Sequence, residues 1–371
     1  MALAQLQLTE FRNIQSASLQ FSPSMNLICG ENGSGKTSVL EAIYLLAHGR
    51  SFRTAKAQKM IRNQQSHLVL HGKVNWSLQL LSVGMQRDRS GDWQLKLNGE
   101  KVSRMADIAS LLPVQLITPE SFRLFFGGPK ERRQFFDLGL FHVEPSFYEL
   151  WVLFNKVLKQ RNALLKSKQP YNDSYRFWDQ QLAETAVAIQ KLRQVYINQL
   201  TLMLQPLLQP IKALAGVELE LVAGWLNKQG DAAELLAQLQ DNFLSDLKVG
   251  YTQLGSQKAD LRIKIDGEYV EEFLSRGQLK VLLFALKVAQ SNLIFSSGHK
   301  QPLLLIDDLA SELDDQSKRF IFSFLHHINS QVFITAIEAA QVLPHVSGTE
   351  VGLFHVEHGQ IVRTDEHGRR T

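Results

Sequence analysis

Gly30-Glu31-Asn32-Gly33-Ser34-Gly35-Lys36-Thr37 follows a short apolar run, Met25 to Cys29, and precedes Val39, Leu40, Ile43 and Leu46 at helical spacing. The order is therefore strand, glycine-rich loop, helix. Four free residues stand between Gly30 and Gly35, and the loop closes on Lys-Thr, which is the Walker A pattern. Glycines let the backbone curl until several N–H groups face one phosphate, and the helix behind offers its positive end to the same anion. Gly30, Glu31, Asn32, Gly33, Ser34 and Gly35 are expected to cradle the phosphates. Lys36 is expected to reach the β- and γ-phosphates, and the Thr37 hydroxyl to ligate Mg²⁺. By itself the pattern says only that a nucleoside triphosphate binds.

Three further motifs narrow the class. Leu303 to Ile306 reads as a buried parallel strand that ends on Asp307-Asp308. Asp307 is then the metal-holding Walker B aspartate and Asp308 the general base. Ser311-Glu-Leu-Asp314 is similar to the D-loop of ABC-type ATPases, which places Asp314 at the nucleotide. Leu274-Ser-Arg-Gly-Gln278 is similar to their signature motif and precedes an apolar helix. Taken singly, two aspartates also suit a turn, and Ser275 also suits a plain helix cap. In this order and setting the four belong together. Ser275, Gly277 and Gln278 then form a second anion site at a helix start, one that closes on the γ-phosphate held by another copy. One Walker A and one signature per chain imply a homodimer with two ATPs between the heads, opened by hydrolysis. Gln115 is expected as the Q-loop glutamine on Mg²⁺, although a plain surface glutamine fits nearly as well.

The 371 residues suggest two or three domains. The fold expected is α/β, an ABC-type P-loop head with mixed sheets that is discontinuous in sequence. Residues 1–113 and 258–371 form the head, and 114–257 an inserted, mainly helical lobe without long coiled coil. No run of about 18 apolar residues is present to cross a bilayer, and the single cysteine, Cys29, excludes an internal disulfide. A cytoplasmic location fits both. The net charge of +4 is compatible with nucleic acid. Basic stretches lie at Lys56, Lys59 and Arg62, at Lys130, Arg132 and Arg133, and around Arg161. Each suits DNA phosphates or an ordinary solvated face. His355 and His358 read as a solvated hairpin and not a metal site. No group of carboxylates beyond Asp307-Asp308 suggests a nuclease.

Three ABC-type readings compete. A transporter subunit keeps a histidine where this chain has Ala336. A chromosome-structuring ATPase needs hundreds of coiled-coil residues between its halves, far more than separate Thr37 from Leu274. The third fits along the whole chain. Leu8-Thr-Glu-Phe-Arg-Asn13, Gly49-Arg-Ser-Phe-Arg-Thr54, Pro113-Val-Gln-Leu-Ile-Thr-Pro-Glu120, Gly127-Gly-Pro-Lys-Glu-Arg-Arg133, Lys159-Gln-Arg-Asn162 and Asp307-Asp-Leu-Ala-Ser-Glu-Leu-Asp314 all resemble the RecF family of SMC-like ATPase heads. The resemblance implies ATP-dependent dimerisation on gapped DNA without sequence preference, single- or double-stranded. It implies slow, DNA-stimulated ATP hydrolysis, work with RecR and RecO to place RecA, and a role in the SOS response. It also places Arg12 near the nucleotide. Asp308 stands where ABC-type enzymes usually carry glutamate, and its shorter side chain suits slow turnover.

Overall fold

Along the first strand, β1 (Ala2–Phe11), Leu6 and Leu8 are buried and Gln7 and Thr9 exposed, as a two-residue alternation requires, but Gln5 is buried as well, and a register shift separates Leu3 from Gln5. The computed structural model describes residues 1–76, 79–298, 300–308, 314–326, 328–346 and 349–365. They fall into two compact units, Met1–Ser121 with Lys280–Thr371, and Phe122–Leu279. The first unit continues with β2 (Ile14–Gln20), β3 (Met25–Cys29), α1 (Lys36–His48), β4 (His67–Trp76), β5 (Gln79–Asp88), β6 (Trp93–Leu97), β7 (Glu100–Val102), α2 (Met105–Leu111) and β8 (Val114–Ile117). The second holds α3 (Arg123–Phe126), α4 (Pro129–Val143), α5 (Phe147–Lys166), α6 (Asp173–Leu208), β9 (Val217–Val222), α7 (Ala232–Asp241), α8 (Phe243–Val249), β10 (Asp260–Ile265), β11 (Glu268–Tyr269) and α9 (Val270–Phe273). α10 (Arg276–Gly298) leads back to the first unit, followed by β12 (Leu303–Ile306), α11 (Asp315–His326), β13 (Gln331–Ala336), β14 (Val351–Glu357) and β15 (Gln360–Thr364).

The first unit has two sheets. In one, β14, β3, β13, β12 and β8 run parallel in that order, with β15 antiparallel at the edge. Its strands β3, β12 and β13 are buried at every residue, as strands covered on both faces must be. The other sheet is antiparallel, in the order β2-β1-β4-β5-β6-β7. The Asn98-Gly99 turn joins β6 to β7 with both φ angles positive, as a tight hairpin needs. α1 packs on β1, β4 and β5 of one sheet and on β8 and β13 of the other. Val39, Leu40, Ala42, Ile43, Leu45 and Leu46 are all fully buried, so this helix is apolar around most of its girth. Gln331 also links the sheets. Its Nε2 donates to the carbonyls of Leu3 and Ser22, and its Oε1 accepts from the Leu3 N–H at 2.8 Å. A buried amide so fully bonded specifies one register.

The two units divide the chain at residues other than the borders expected at 113 and 258. Val114–Ile117, read as the start of the lobe, pairs residue for residue with β12 and belongs to the head sheet. The inserted unit runs on to Leu279 and includes a three-stranded antiparallel sheet, β11-β10-β9. Its strand β9 alternates, Val-Glu-Leu-Glu-Leu-Val, inside a stretch expected to be helical. α6, 36 residues long, starts at Asn172, whose side chain accepts from the N–H groups of Ser174 and Tyr175. α10 is long and apolar enough, by mean hydropathy, to cross a membrane, against the expectation that no segment is; its most apolar window is 72% buried, which marks a core helix.

Arg161, expected on a basic face, is instead fully buried. It donates to Asp179 at 2.5 Å, to Asp246 at 2.6 Å and to the Thr252 hydroxyl at 2.8 Å. Arg161→Leu strands both carboxylates in the core, and we expect it to lower unfolding stability by about 3–5 kcal/mol. Urea titration checks this; a midpoint equal to the parent's would contradict the network's role.

Candidate functional site

The parallel register brings three strand ends together. Ile306 pairs with Ile334, and Thr335 and Ala336 pair with Ile28 and Cys29. Asp307 therefore follows β12 beside Thr335, and the Gly30 loop follows β3 on the other side. Ligands of open α/β sheets collect beyond such carboxyl ends. Thr37, in the first turn of α1, donates its hydroxyl to Asp307 Oδ1 at 2.9 Å, and Thr335 donates to the same oxygen at 2.8 Å. The Thr335 hydroxyl oxygen in turn accepts the Asp308 N–H at 2.8 Å. Burial raises the Asp307 carboxyl above the ordinary carboxylate range, while the bonds from Thr335 and Thr37 pull it down. Asp308 is exposed and has φ of 56°. That left-handed backbone is one aspartate tolerates better than most residues.

Lys36 Nζ donates to the carbonyls of Gly30 at 2.6 Å and Glu31 at 2.8 Å, which keeps the loop curled. Gly30 is required there, since a β-carbon would lie 2.2 Å from the Val356 carbonyl oxygen. Among the described residues the buried Ser34 hydroxyl has no hydrogen-bond partner, so it is available to a ligand at the loop. Around the loop lies a cavity of about 620 Å³, within the range of small-molecule sites. It is lined by Asn32, Gly33, Gly35, Lys36, Thr37, Asp307, Asp308 and Thr335, by Pro119 and Glu120 beyond β8, and by Arg12, Asn13, Phe52, Arg53, Lys59 and Ile61. The oxygens of Thr37 and Asp307 are hard donors that fit Mg²⁺.

Other expected site residues lie elsewhere. Gln115 is 1% exposed in β8 and accepts from Lys287 at 3.2 Å. It does not line the cavity, which corrects its expected role on the metal. Burial pushes the Lys287 ammonium down to about 8. Ser275 and Gln278 belong to the second unit, where they cap α10 reciprocally: the Gln278 side chain accepts the Ser275 N–H and the Ser275 hydroxyl accepts the Gln278 N–H. Gly277 sits one residue inside that helix start. Asp314 is exposed and accepts the Ser317 N–H at 2.7 Å, as the cap of α11. Ser311 to Leu313 lie outside the described residues. His355 and His358 stand exposed on the β14–β15 hairpin, as read.

The basic stretches divide. Lys56, Lys59 and Lys130 are exposed, and Arg62 pairs with Glu10 at 3.3 Å. Arg132 is bidentate on Asp260 at 2.7 and 2.9 Å, and Arg133 donates to the Ala259 carbonyl at 2.6 Å. These two arginines brace α4 against β10, which corrects their assignment to DNA. One participant escaped the sequence reading altogether. Glu41, on α1, is fully buried and holds Arg12 and Arg53, both at the cavity.

The chain's relatives have this arrangement's fold and length. A family model described as the RecF/RecN/SMC N terminal domain matches residues 2–361. The DNA replication and repair protein RecF of Pseudoalteromonas translucida is 45% identical over 368 residues, covering 98% of this chain and 100% of that protein. The RecF protein of Shewanella loihica is 42% identical over 361 residues, covering 97% and 99%. Among solved structures, the recombination mediator protein RecF-ATP of the RecFOR pathway superposes with a TM-score of 0.85 at 27% identity, covering 98% of each chain. An SMC head bound to the C-winged helix domain of ScpA superposes at 0.58 with 13% identity over 99% of each chain, a likeness of fold.

Proposed function

The chain belongs to the RecF family of DNA replication and repair proteins, an ABC-type ATPase head by fold, and on that premise we propose that it is an ATP-driven clamp on gapped DNA. ATP occupies the cavity, with its phosphates on the Gly30–Gly35 backbone and Lys36. Thr37 and Asp307 would hold Mg²⁺, which would supply positive charge beside the phosphates. Asp308 orients the attacking water. The observation that carries the reading is the bonding of Thr37 and Asp307 across two strand ends, at 2.9 Å, beside the Lys36 loop. That bond supports reading Walker A and Walker B as one site. The solved RecF-ATP relative supports ATP as the nucleotide.

ATP joins two copies, because the exposed Ser275 of each copy serves the nucleotide of the other. Slow hydrolysis, stimulated by DNA, releases the pair. Lys56, Lys59 and Lys130 supply sequence-indifferent phosphate contacts, so binding falls steeply with salt. With RecR and RecO the clamp marks gaps for RecA, in replication, repair and the SOS response. The RecFOR pathway named for the solved relative supports this assignment. Ser275→Arg tests the composite site. Binding of ATP by the monomer stays within about threefold of the parent, and ATP-driven dimerisation disappears. Loss of monomer binding, or dimerisation at the parental ATP concentration, would contradict the trans arrangement.

A further inference from the structure

We propose that Glu41 is a positioning residue that sets Arg12 and Arg53 against the nucleotide, an inference that rests on the nucleotide reading of the cavity. Glu41 lies on α1 one turn beyond Thr37, and its side chain is fully buried. A carboxylate there costs desolvation unless it is paired and bonded. It is both. Its Oε2 accepts Arg12 Nε at 2.9 Å and Arg53 Nη1 at 3.5 Å, and its Oε1 accepts Arg12 Nη2 and the Ser51 hydroxyl. The bond to Arg12 is bidentate, which fixes the guanidinium plane.

The two arginines arrive on separate segments. Arg12 sits at the β1–β2 turn with φ of 57°, and that strained turn is pinned by the Arg12 N–H on the Met60 carbonyl at 2.7 Å. Arg53 sits on the loop after α1. Ser51 organises that loop by accepting the N–H groups of Arg53 and Thr54 at 2.9 and 3.1 Å. Glu41 thus ties both segments to the helix that begins at Lys36. Two guanidinium groups and one carboxylate leave one positive charge at the cavity wall. Donors fixed beforehand act on an anion without reorganising.

ATP titration of the full chain and thermal unfolding together test this. Glutamine at position 41 keeps the shape and one acceptor oxygen but removes the charge. Glu41→Gln is expected to weaken ATP about tenfold and Arg12→Gln somewhat less, and the double variant no further than Glu41→Gln alone, since losing Glu41 already releases Arg12. Parental ATP affinity in Glu41→Gln, or effects that simply add, would overturn the inference. So would a lowered melting temperature with unchanged affinity, the mark of a packing role. Should Glu41→Gln not fold, Ser51→Ala removes one bond to Glu41 and frees the Arg53 loop while keeping both ion pairs, and is expected to weaken ATP about threefold; unchanged affinity there overturns the inference too. Lys36→Ala separates the two levels. If it binds ATP like the parent, the nucleotide reading fails. If it loses ATP while Glu41→Gln retains it, only the role of Glu41 fails.

Discussion

Lys36→Arg turns over ATP at least about a hundredfold more slowly than the parent, while the nucleotide still binds. The charge is kept, but a compact ammonium gives way to a planar fork. Lys36 is nearly buried, with Nζ between the Gly30 and Glu31 carbonyls. A guanidinium needs more width than that, and the loop cannot yield at Gly30, which lies against the Val356 backbone. The arginine therefore reaches the phosphates off line and serves the ground state better than the transition state. Single-turnover hydrolysis with a parallel binding titration separates the two steps. Turnover at the parental rate would remove Lys36 from the chemistry.

Asp308→Asn is expected to trap the ATP-bound dimer on gapped DNA, extending its lifetime about tenfold or more after dilution into ATP-free buffer. Asparagine accepts the left-handed backbone at this position as readily as aspartate does. Its N–H keeps the bond to Thr335. Asp307→Asn behaves differently. Its carboxylate takes the Thr37 and Thr335 hydroxyls and stands where Mg²⁺ is proposed, so binding and hydrolysis fall together. A lifetime for Asp308→Asn no longer than the parent's would sink the assignment of the base.

The motifs were legible because their chemistry is local. A curled glycine loop between an apolar strand and a helix needs only the residues that compose it, and the same holds for Asp307-Asp308 after Leu303–Ile306. What was not legible depended on direction in three dimensions. Glu41 reads in the sequence as one more charge on a helix, because nothing local shows that α1 is enclosed by two sheets. Arg132, Arg133 and Arg161 form basic runs along the chain, yet their partners Asp260, Ala259, Asp179 and Asp246 are remote in sequence. Gln115 suited a Mg²⁺ ligand or a plain surface glutamine, but its amide is buried and accepts from Lys287. Strand β9 did carry a signal, the two-residue alternation of Val217 to Val222, and the helical periodicity on either side masked it. The border near residue 113 was misjudged because β8 is completed by a strand almost two hundred residues later, at Leu303.

Sedimentation velocity of the parent chain, with and without ATP and Mg²⁺ and then with gapped DNA, tests the clamp most directly. A clamp of this kind is expected to be a monomer without nucleotide, a dimer with ATP, a monomer again as ATP is hydrolysed, and a dimer that travels with DNA only while ATP is present. A sedimentation coefficient unchanged by ATP, on or off DNA, would contradict it.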